Sequence, residues 1–376
     1  MPERPFPLND SGPARPPAGG NDWIIGPEET VLVTGAGGFI GPRVARVLLS
    51  YGFSRVRCMR RHFPADGRKK KLEDIIDSPP PGRRGGEIVE GNLLSPDDCR
   101  SAAEGVSVIY HLAAGSEKTF PGCFANSAVA TRNLIEAALR TGSLKRFVNI
   151  SSMACYSNEK IRRGGLLDES CETETPLKLA ERHDPYAYGK AKQDEIVLEY
   201  ARKKGLPYVF LRPGVVFGPG KTQITGRVGL DTFGVFLHLG LGNRIPFTYV
   251  DNCAEAIVLS GLRKGIDGAV INITDDDLPA SGRFLSLYKK NVRRFASIPV
   301  PYAVFYLFCA FWEWYSEWSG GQLPPAFNRR KCAAYWKGNT YSNRKAKELL
   351  GWSPRVRMDE GLQRFFDYAR QVKCPK

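Results

Sequence analysis

The chain has 376 residues, 42% hydrophobic and 25% charged, which excludes a disulfide-stapled miniprotein and a collagen-like, low-complexity or wholly disordered chain, and allows one large or two modest domains. Lysine and arginine total 54 against 39 acids, a net charge of +15 that suits anionic partners: a phosphorylated cofactor, an acidic membrane surface or nucleic acid. Nine scattered cysteines without CxxC spacing argue against a zinc knuckle or a disulfide framework and fit a reducing, cytoplasmic setting.

Residues 1–27 begin MPERPFPLNDSGPARPPAGG, rich in Pro and Gly and without the apolar stretch of a secretory signal, and are expected to form a flexible tail. The first apolar run, ETVLVTGAGGFIG, reads as a β-branched strand entering a glycine-rich turn, and VARVLLS follows with helical spacing. Gly35, Gly38 and Gly41 stand three apart there. The first permits a tight turn, the second close approach of a pyrophosphate, and the third close helix packing, while the helix N-terminus supplies N–H donors. With Gly37, Phe39 and Ile40 they form the expected phosphate seat. The next strand, RVRCMRR, ends in Arg60 and Arg61, where a dinucleotide fold usually carries an acid for the ribose 2′-OH. Two arginines suit a 2′-phosphate, so NADP(H) is favoured over NAD(H). The alternative is a solvated basic face continuing through Arg68, Lys69, Lys70 and Lys71.

The runs GEIVEGN, VSVIYHLAA, KRFVNISS, LPYVFLRP and GAVINIT alternate with helical stretches such as NLIEAALR and QDEIVLEYAR. This predicts an α/β fold, a Rossmann-type doubly wound parallel sheet. The dinucleotide-binding domain is expected over 28–213 and 247–275. The glycine-rich segment 214–246 is expected to be loop rather than sheet and, with 276–376, to form a smaller C-terminal substrate-binding lobe.

TGAGGFIG, GNL (91–93), YHLAA (110–114), NISSMACY (149–156), PYAYGK (185–190), LRPGVVFGPG (211–220), FTYVDNCAEAI (247–257) and LLGWSP (349–354), in this order, resemble the extended short-chain dehydrogenase/reductase family, also called the NAD-dependent epimerase/dehydratase family. The resemblance implies that Asn92 and Leu93 lie near the adenine, that Leu112, Ala113 and Ala114 line the dinucleotide, and that Pro213 and Val215 also contact it. The family's YxxxK pair has two registers here, Tyr186 with Lys190 and Tyr188 with Lys192; the first aligns without a gap and is preferred. The resemblance assigns Tyr186 as acid/base, Lys190 as its tuner and ribose anchor, and Ser152 as the hydroxyl that orients the substrate oxygen, with Ser151 the neighbouring alternative. Such a set suits the chemistry: reducing a ketone requires a proton at the carbonyl oxygen. Bringing a tyrosine from pKa about 10 to neutrality takes about 4 kcal/mol of phenolate stabilisation, which a neighbouring cation supplies. Ser127 and Ala130-Thr131 depart from the family's asparagine and Gly-Thr, which puts in doubt the local bonds that position the catalytic helix.

Residues 298–318, IPVPYAVFYLFCAFWEWYSEW, are uncharged up to Glu313 and dense in aromatics. A helix starting near Tyr302 has about 11 residues before Glu313, about 16 Å against a hydrocarbon core of about 30 Å, too short to span. An amphipathic segment in the membrane interface, giving peripheral contact with the cytoplasmic face, is one reading; an aromatic lid over the substrate lobe is the other. The chain most resembles the 3β-hydroxysteroid dehydrogenase-like branch, which implies a sterol or other lipid alcohol or ketone as substrate; with the arginines above, the expectation is an NADP(H)-dependent oxidoreductase interconverting a secondary alcohol and ketone on a lipophilic, sterol- or sphingolipid-like substrate. The runner-up is a nucleotide-sugar epimerase or dehydratase, which needs diphosphate contacts in 214–246, where only Lys221, Arg227 and Arg244 are obvious. A non-catalytic cofactor-sensing protein is the third. The family further implies a homodimer through helices near 124–141 and 186–203. His111, ending an apolar strand, reads as structural; His62, His183 and His238 lack ligand spacing, so no metal is expected. The basic stretch 55–71 has no aromatic beyond Phe63 for base stacking, so nucleic acid is not an expected partner.

Overall fold

The computed structural model describes residues 22–61, 72–76, 85–232, 234–320, 322 and 327–373. Seven parallel strands form the central sheet in the order Val270–Ile273, Tyr208–Pro213, Arg146–Ile150, Val106–His111, Thr30–Thr34, Val56–Arg60 and Glu87–Glu90. Their near-continuous apolar sequences follow from having both faces covered. Alternate residues feed opposite layers, as the two-residue strand period requires. Val31, Val33, Val108, Tyr110, Val148, Val209 and Leu211 join one core with the helices Gly41–Ser50 and Val250–Leu262. Leu32, Ile109, Phe147 and Phe210 join a second core with the helices Pro96–Ala103, Ala130–Thr141 and Pro185–Lys204. The chain first winds outward from Thr30–Thr34 in one direction, then from Val106–His111 in the other. The crevice where the order switches is the ligand position of doubly wound sheets, at the carboxyl ends of the strands.

The segment expected to be loop over 214–246 contains three strands. Val215–Phe217 pairs with Phe247–Tyr249, while Gly229–Thr232 and Val235–Leu239 form an antiparallel pair that Ser297–Val300 extends in parallel. The glycines there mark strand ends and turns, and VFLHL between them keeps a strand's alternation. The expected tail over 1–27 is also too long. Ile24 N–H donates to Leu262 O at 2.8 Å, Trp23 stacks on Tyr51 with centroids 5.7 Å apart, and Ile25 is buried. The apolar run WII covers the end of the Val250–Leu262 helix, while residues 1–21 lie outside the described ones.

The major core continues from the sheet into the C-terminal helices Arg344–Leu350 and Met358–Lys373, through Trp352, Phe365 and Phe366. Trp352 is anchored by its indole N–H on Asn252 O at 3.0 Å. A separate aromatic cluster joins the helices Tyr302–Trp318 and Arg329–Trp336 through Phe305, Cys309, Cys332 and Trp336. Pro301 precedes the first of these helices, which has 17 residues. Among the described residues no helix is long and apolar enough to cross a membrane.

Candidate active site

The strand Thr30–Thr34 delivers the chain to Gly35, whose φ of +67° lies in the left-handed region. A Cβ on Gly35 would stand 2.9 Å from Ala113 N, and one on Gly41 2.5 Å from Ala36 Cα. Only glycine fits either place, so Gly37, Gly38, Phe39 and Ile40 form a cradle in which backbone replaces side chain at the start of the Gly41–Ser50 helix. Ala113 N–H reaches Thr34 Oγ1 at 3.4 Å, laying Leu112, Ala113 and Ala114 beside the turn. Asn92 and Leu93 follow Glu87–Glu90; Asn92 accepts from Leu94 N–H at 3.0 Å and Leu93 O from Asn133 at 3.0 Å. Pro213 closes its strand and Val215 opens the next. All of these stand at the carboxyl ends of sheet strands.

Arg60 is not the open cation the sequence suggested. It is buried, and one of its guanidinium nitrogens meets Glu90 at 2.9 Å and Glu73 at 3.3 Å. These two carboxylates already neutralise the charge intended for a 2′-phosphate. Its Nε and Nη1 are nonetheless buried without hydrogen-bond partners, and a Cβ on Gly37 would touch its side chain at 3.7 Å. Arg61 is exposed. His62, Phe63, Arg68, Lys69, Lys70 and Lys71 lie outside the described residues. The glycine cradle and these unused donors fit a nicotinamide dinucleotide, which Gly35–Gly41, Leu112–Ala114, Asn92 and Lys190 would hold. When bound, it supplies the two-electron redox chemistry.

The catalytic helix starts sharply because Asp184 caps it, accepting from Ala187 N–H at 3.0 Å, with Pro185 at the first helical position. Asp184 also receives Arg182 at 3.1 Å and the Tyr335 hydroxyl at 3.3 Å. Tyr186 stands 41% exposed, with its hydroxyl interacting with Ser152. Ser152 receives Ala154 N–H at 3.1 Å, whereas Ser151 donates to Asp194 at 2.6 Å. Ser151 is thus turned into the core and Ser152 toward Tyr186. One helical turn on, the buried Lys190 ammonium donates to Ile150 O and to Gln193 Oε1 at 3.0 Å. The other register points elsewhere: Tyr188 packs edge-on against Phe120 at 5.3 Å, and Lys192 pairs with Glu195 at 2.9 Å.

At the positions noted above, Ser127 and Thr131 still tie their segment to the Pro185–Lys204 helix. Ser127 Oγ accepts from Gly115 N–H at 3.0 Å, and Thr131 Oγ1 donates to Ser127 O at 2.6 Å while receiving Gln193 Nε2 at 3.0 Å. A one-turn π-helix, Ala125–Val129, sits at this crossing, as such turns often do at functional sites. A Cβ on Gly189 would come 3.0 Å from Ser127 Oγ, so the glycine between Tyr188 and Lys190 allows the two helices to close. His111 is wedged between Thr34 Oγ1 at 2.8 Å and Thr131 Oγ1 at 2.9 Å. Burial, reinforced by Lys190, pushes its pKa down to about 3, so it serves as a neutral hydrogen-bonding strut.

The electrostatics depart from the expectation that Lys190 lowers the Tyr186 pKa. Burial raises the phenol, Ser152 pulls it back, and Cys155, Asp184 and Tyr335 raise it further. Lys190 itself falls to about 8, burial outweighing the attraction of Asp194. Its ammonium is turned to Ile150 O and Gln193. Beneath them Asp194 receives Asn149 at 2.9 Å and Arg212 at 3.2 Å. Burial raises the Asp194 carboxyl against the pull of Arg212, Ser151 and Lys190, and Arg212 also lies over the Tyr156 ring at 4.7 Å. Gln193, Arg212 and Tyr335 escaped the sequence reading. Asp184-Pro185 carried a legible helix-start signal, but the others act across long sequence separations.

The model of the NAD dependent epimerase/dehydratase family matches residues 31–274. The chain is 24% identical over 368 residues to 3beta-hydroxysteroid-dehydrogenase/decarboxylase isoform 2 of Arabidopsis thaliana, covering 90% of this chain but only 62% of that protein's length. It is 26% identical over 347 residues to 2-alkyl-3-oxoalkanoate reductase of Stenotrophomonas maltophilia, covering 89% of this chain and 97% of that one. Among solved structures, UDP-glucuronic acid 4-epimerase from Bacillus cereus in complex with NAD superposes with a TM-score of 0.67 at 24% identity, over 91% of this chain and 99% of that one. A family match over more than half the chain, on the fold and glycine cradle described above, decides the matter: this chain belongs to the NAD-dependent epimerase/dehydratase family and is an extended, NAD(P)-dependent short-chain dehydrogenase/reductase.

Proposed function

We propose that the protein reduces a ketone to a secondary alcohol on a lipophilic substrate, with Tyr186 as proton donor, Ser152 orienting the carbonyl oxygen and Lys190 anchoring the cofactor ribose. Burial raises the phenol above its ordinary range, so it holds the proton that a carbonyl oxygen must receive on reduction. One observation carries the preference for a lipophilic substrate. The three Lys and Arg residues of 214–246 considered for a nucleotide-sugar diphosphate are turned to this chain's own groups. Lys221 donates to Val216 O at 3.1 Å, Arg227 to Ala334 O at 3.2 Å and the Tyr341 hydroxyl at 3.3 Å, and Arg244 to Leu278 O at 3.1 Å. The relatives whose names specify hydroxysteroid and alkyl-oxoalkanoate substrates support the same choice.

Nucleotide-sugar epimerisation or dehydration is the second reading, favoured by the likeness to the Bacillus epimerase fold. The test is turnover of a keto-steroid and a long-chain 3-oxoalkanoate against UDP-glucose and UDP-glucuronate, with Tyr186→Phe as control. Consumption of reduced cofactor with the apolar ketones, abolished in the variant, is expected. Turnover of the sugars alone overturns the reading, and equal ligand binding without turnover in both proteins would make it a cofactor-sensing protein. NADP(H) is kept ahead of NAD(H) on Arg60 and Arg61, which stand at the end of the Val56–Arg60 strand, with Arg60 Nε and Nη1 lacking hydrogen-bond partners and Arg61 exposed; tighter binding of NAD(H) would reverse that order. We also propose a homodimer through the helices spanning 124–141 and 186–203, which expose Phe124, Val129 and Leu198; a monomeric mass in light scattering would remove it.

A further inference from the structure

The aromatic helix is not consumed by the chemistry. Phe305 and Cys309 turn inward, and Phe305 meets Trp336 edge-on at 5.3 Å and Phe327 at 6.0 Å. On the opposite side Val304, Leu307, Phe311, Trp314 and Trp318 recur at intervals of three and four and are exposed, Leu307 by 69% and Trp318 by 71%. Their rings lean on one another along the helix rather than under another element: Phe311 and Trp314 have centroids 5.6 Å apart, Trp314 and Trp318 stack at 6.4 Å. Ile298 is exposed on the preceding strand. Scattered exposed apolar residues are ordinary, but a contiguous stripe marks an interaction surface.

Charge identifies what covers it. The stretch leading into the helix carries Lys290, Arg293 and Arg294, all exposed, and Arg163 lies over the Tyr302 ring at 6.0 Å at the helix start. At its far half Glu313 is paired with Arg329. With the chain at +15, a second copy would set one basic rim against another, whereas an anionic lipid surface complements both the aromatic stripe and the rim. Seventeen residues reach about 25 Å, short of the hydrocarbon core of about 30 Å. Tryptophan and tyrosine are enriched at the boundary between headgroups and acyl chains.

We propose that this face docks on an anionic phospholipid bilayer, with the Tyr302–Trp318 helix lying in the interface plane and the basic residues on headgroups. The inference goes beyond the substrate reading and stands without it, since docking is read without turnover. It also gives the site an orientation: Trp336 packs on the docked helix, and the adjacent Tyr335 bonds to Asp184, the cap of the catalytic helix. An apolar substrate drawn from the bilayer would then enter on the lobe that touches it.

The experiment is co-sedimentation of the full chain with vesicles of phosphatidylcholine alone and of phosphatidylcholine with phosphatidylserine. Binding to the serine-containing vesicles, weaker with added salt and weaker on phosphatidylcholine alone, is expected. The triple variant Leu307→Ser, Phe311→Ser, Trp314→Ser should lose at least tenfold in partition with its melting temperature kept, and Arg293→Glu with Arg294→Glu should lose the preference for serine lipid. Absence of binding by the wild type, or equal binding by the triple variant, overturns the proposal. So does a concentration-dependent dimer that the triple variant abolishes while vesicles stay unbound, because a second copy is then the occupant. If docking holds while apolar ketones are not turned over, the substrate reading alone fails.

Discussion

Helix Pro185–Lys204 buries Lys190, Gln193 and Asp194, whereas helix Tyr302–Trp318 exposes Leu307, Phe311, Trp314 and Trp318. An ordinary surface helix does the reverse on both counts. In the first helix the burial of polar groups is tolerable because each is bonded: Lys190 to Ile150 O, Gln193 to Thr131, Asp194 to Asn149, Ser151 and Arg212. In the second no described element repays the exposure. The contrast separates two ways of departing from the folding optimum: one is compensated inside the molecule, and the other awaits compensation outside it.

The sharpest way to break the first half is to remove the proton donor and leave the packing. Tyr186→Phe keeps the ring and deletes the hydroxyl that Ser152 contacts, so turnover should fall by about 10²- to 10⁴-fold while cofactor affinity and melting temperature hold. A loss of folding in place of turnover would mean that the hydroxyl is structural. The next effect is on stability. Asp194→Ala strands the buried Arg212, whose Nε already lacks a partner, and should cost about 3–5 kcal/mol in urea unfolding, the penalty of an uncompensated buried charge. Asp194→Asn, which keeps hydrogen-bonding capacity, should cost less; equal costs would show that charge is unimportant there.

A somewhat smaller effect comes from Lys190. Its amine is lowered from an ordinary 10.5 to about 8, so between those values the unfolded chain holds a proton that the folded chain releases. Stability must therefore rise with pH across that window, by on the order of 3 kcal/mol for this group. The difference between wild type and Lys190→Met, measured from pH 7 to 10.5, isolates it. A difference that is flat, or that falls, would mean that Lys190 is not desolvated in solution.

The same contrast explains what the sequence could tell. The sheet was legible because strand and helix periods are local, and the glycine turn because Gly35, Gly38 and Gly41 sit at fixed offsets from the strand. The hairpin of Gly229–Thr232 with Val235–Leu239 was hidden because its glycines read as breakers and its third strand, Ser297–Val300, arrives from far along the chain. Arg60 was visible, but Glu73 and Glu90, which meet it, lie 13 and 30 residues away. The attraction between Lys190 and Tyr186 was inferred from their spacing. The pull of Ile150 O and Gln193 on the ammonium is a tertiary fact. The aromatic stripe was legible as composition, and only the fold could divide Phe305 from Trp314.

That division sets a large effect against the smallest predicted one, and the pair tests the second half of the comparison. Phe305 is 6% exposed between Trp336 and Phe327, and Trp314 is 56% exposed on the same helix. Phe305→Ala should destabilise by about 3–5 kcal/mol through the cavity it leaves. Trp314→Ser should change stability by no more than about 0.5 kcal/mol, because its ring has little to lose on the free protein. If Trp314→Ser costs as much as Phe305→Ala, the outer face is packed within the molecule and the comparison collapses. If it costs nothing while vesicle binding falls, the exposed ring is kept for an interaction that the isolated chain does not make.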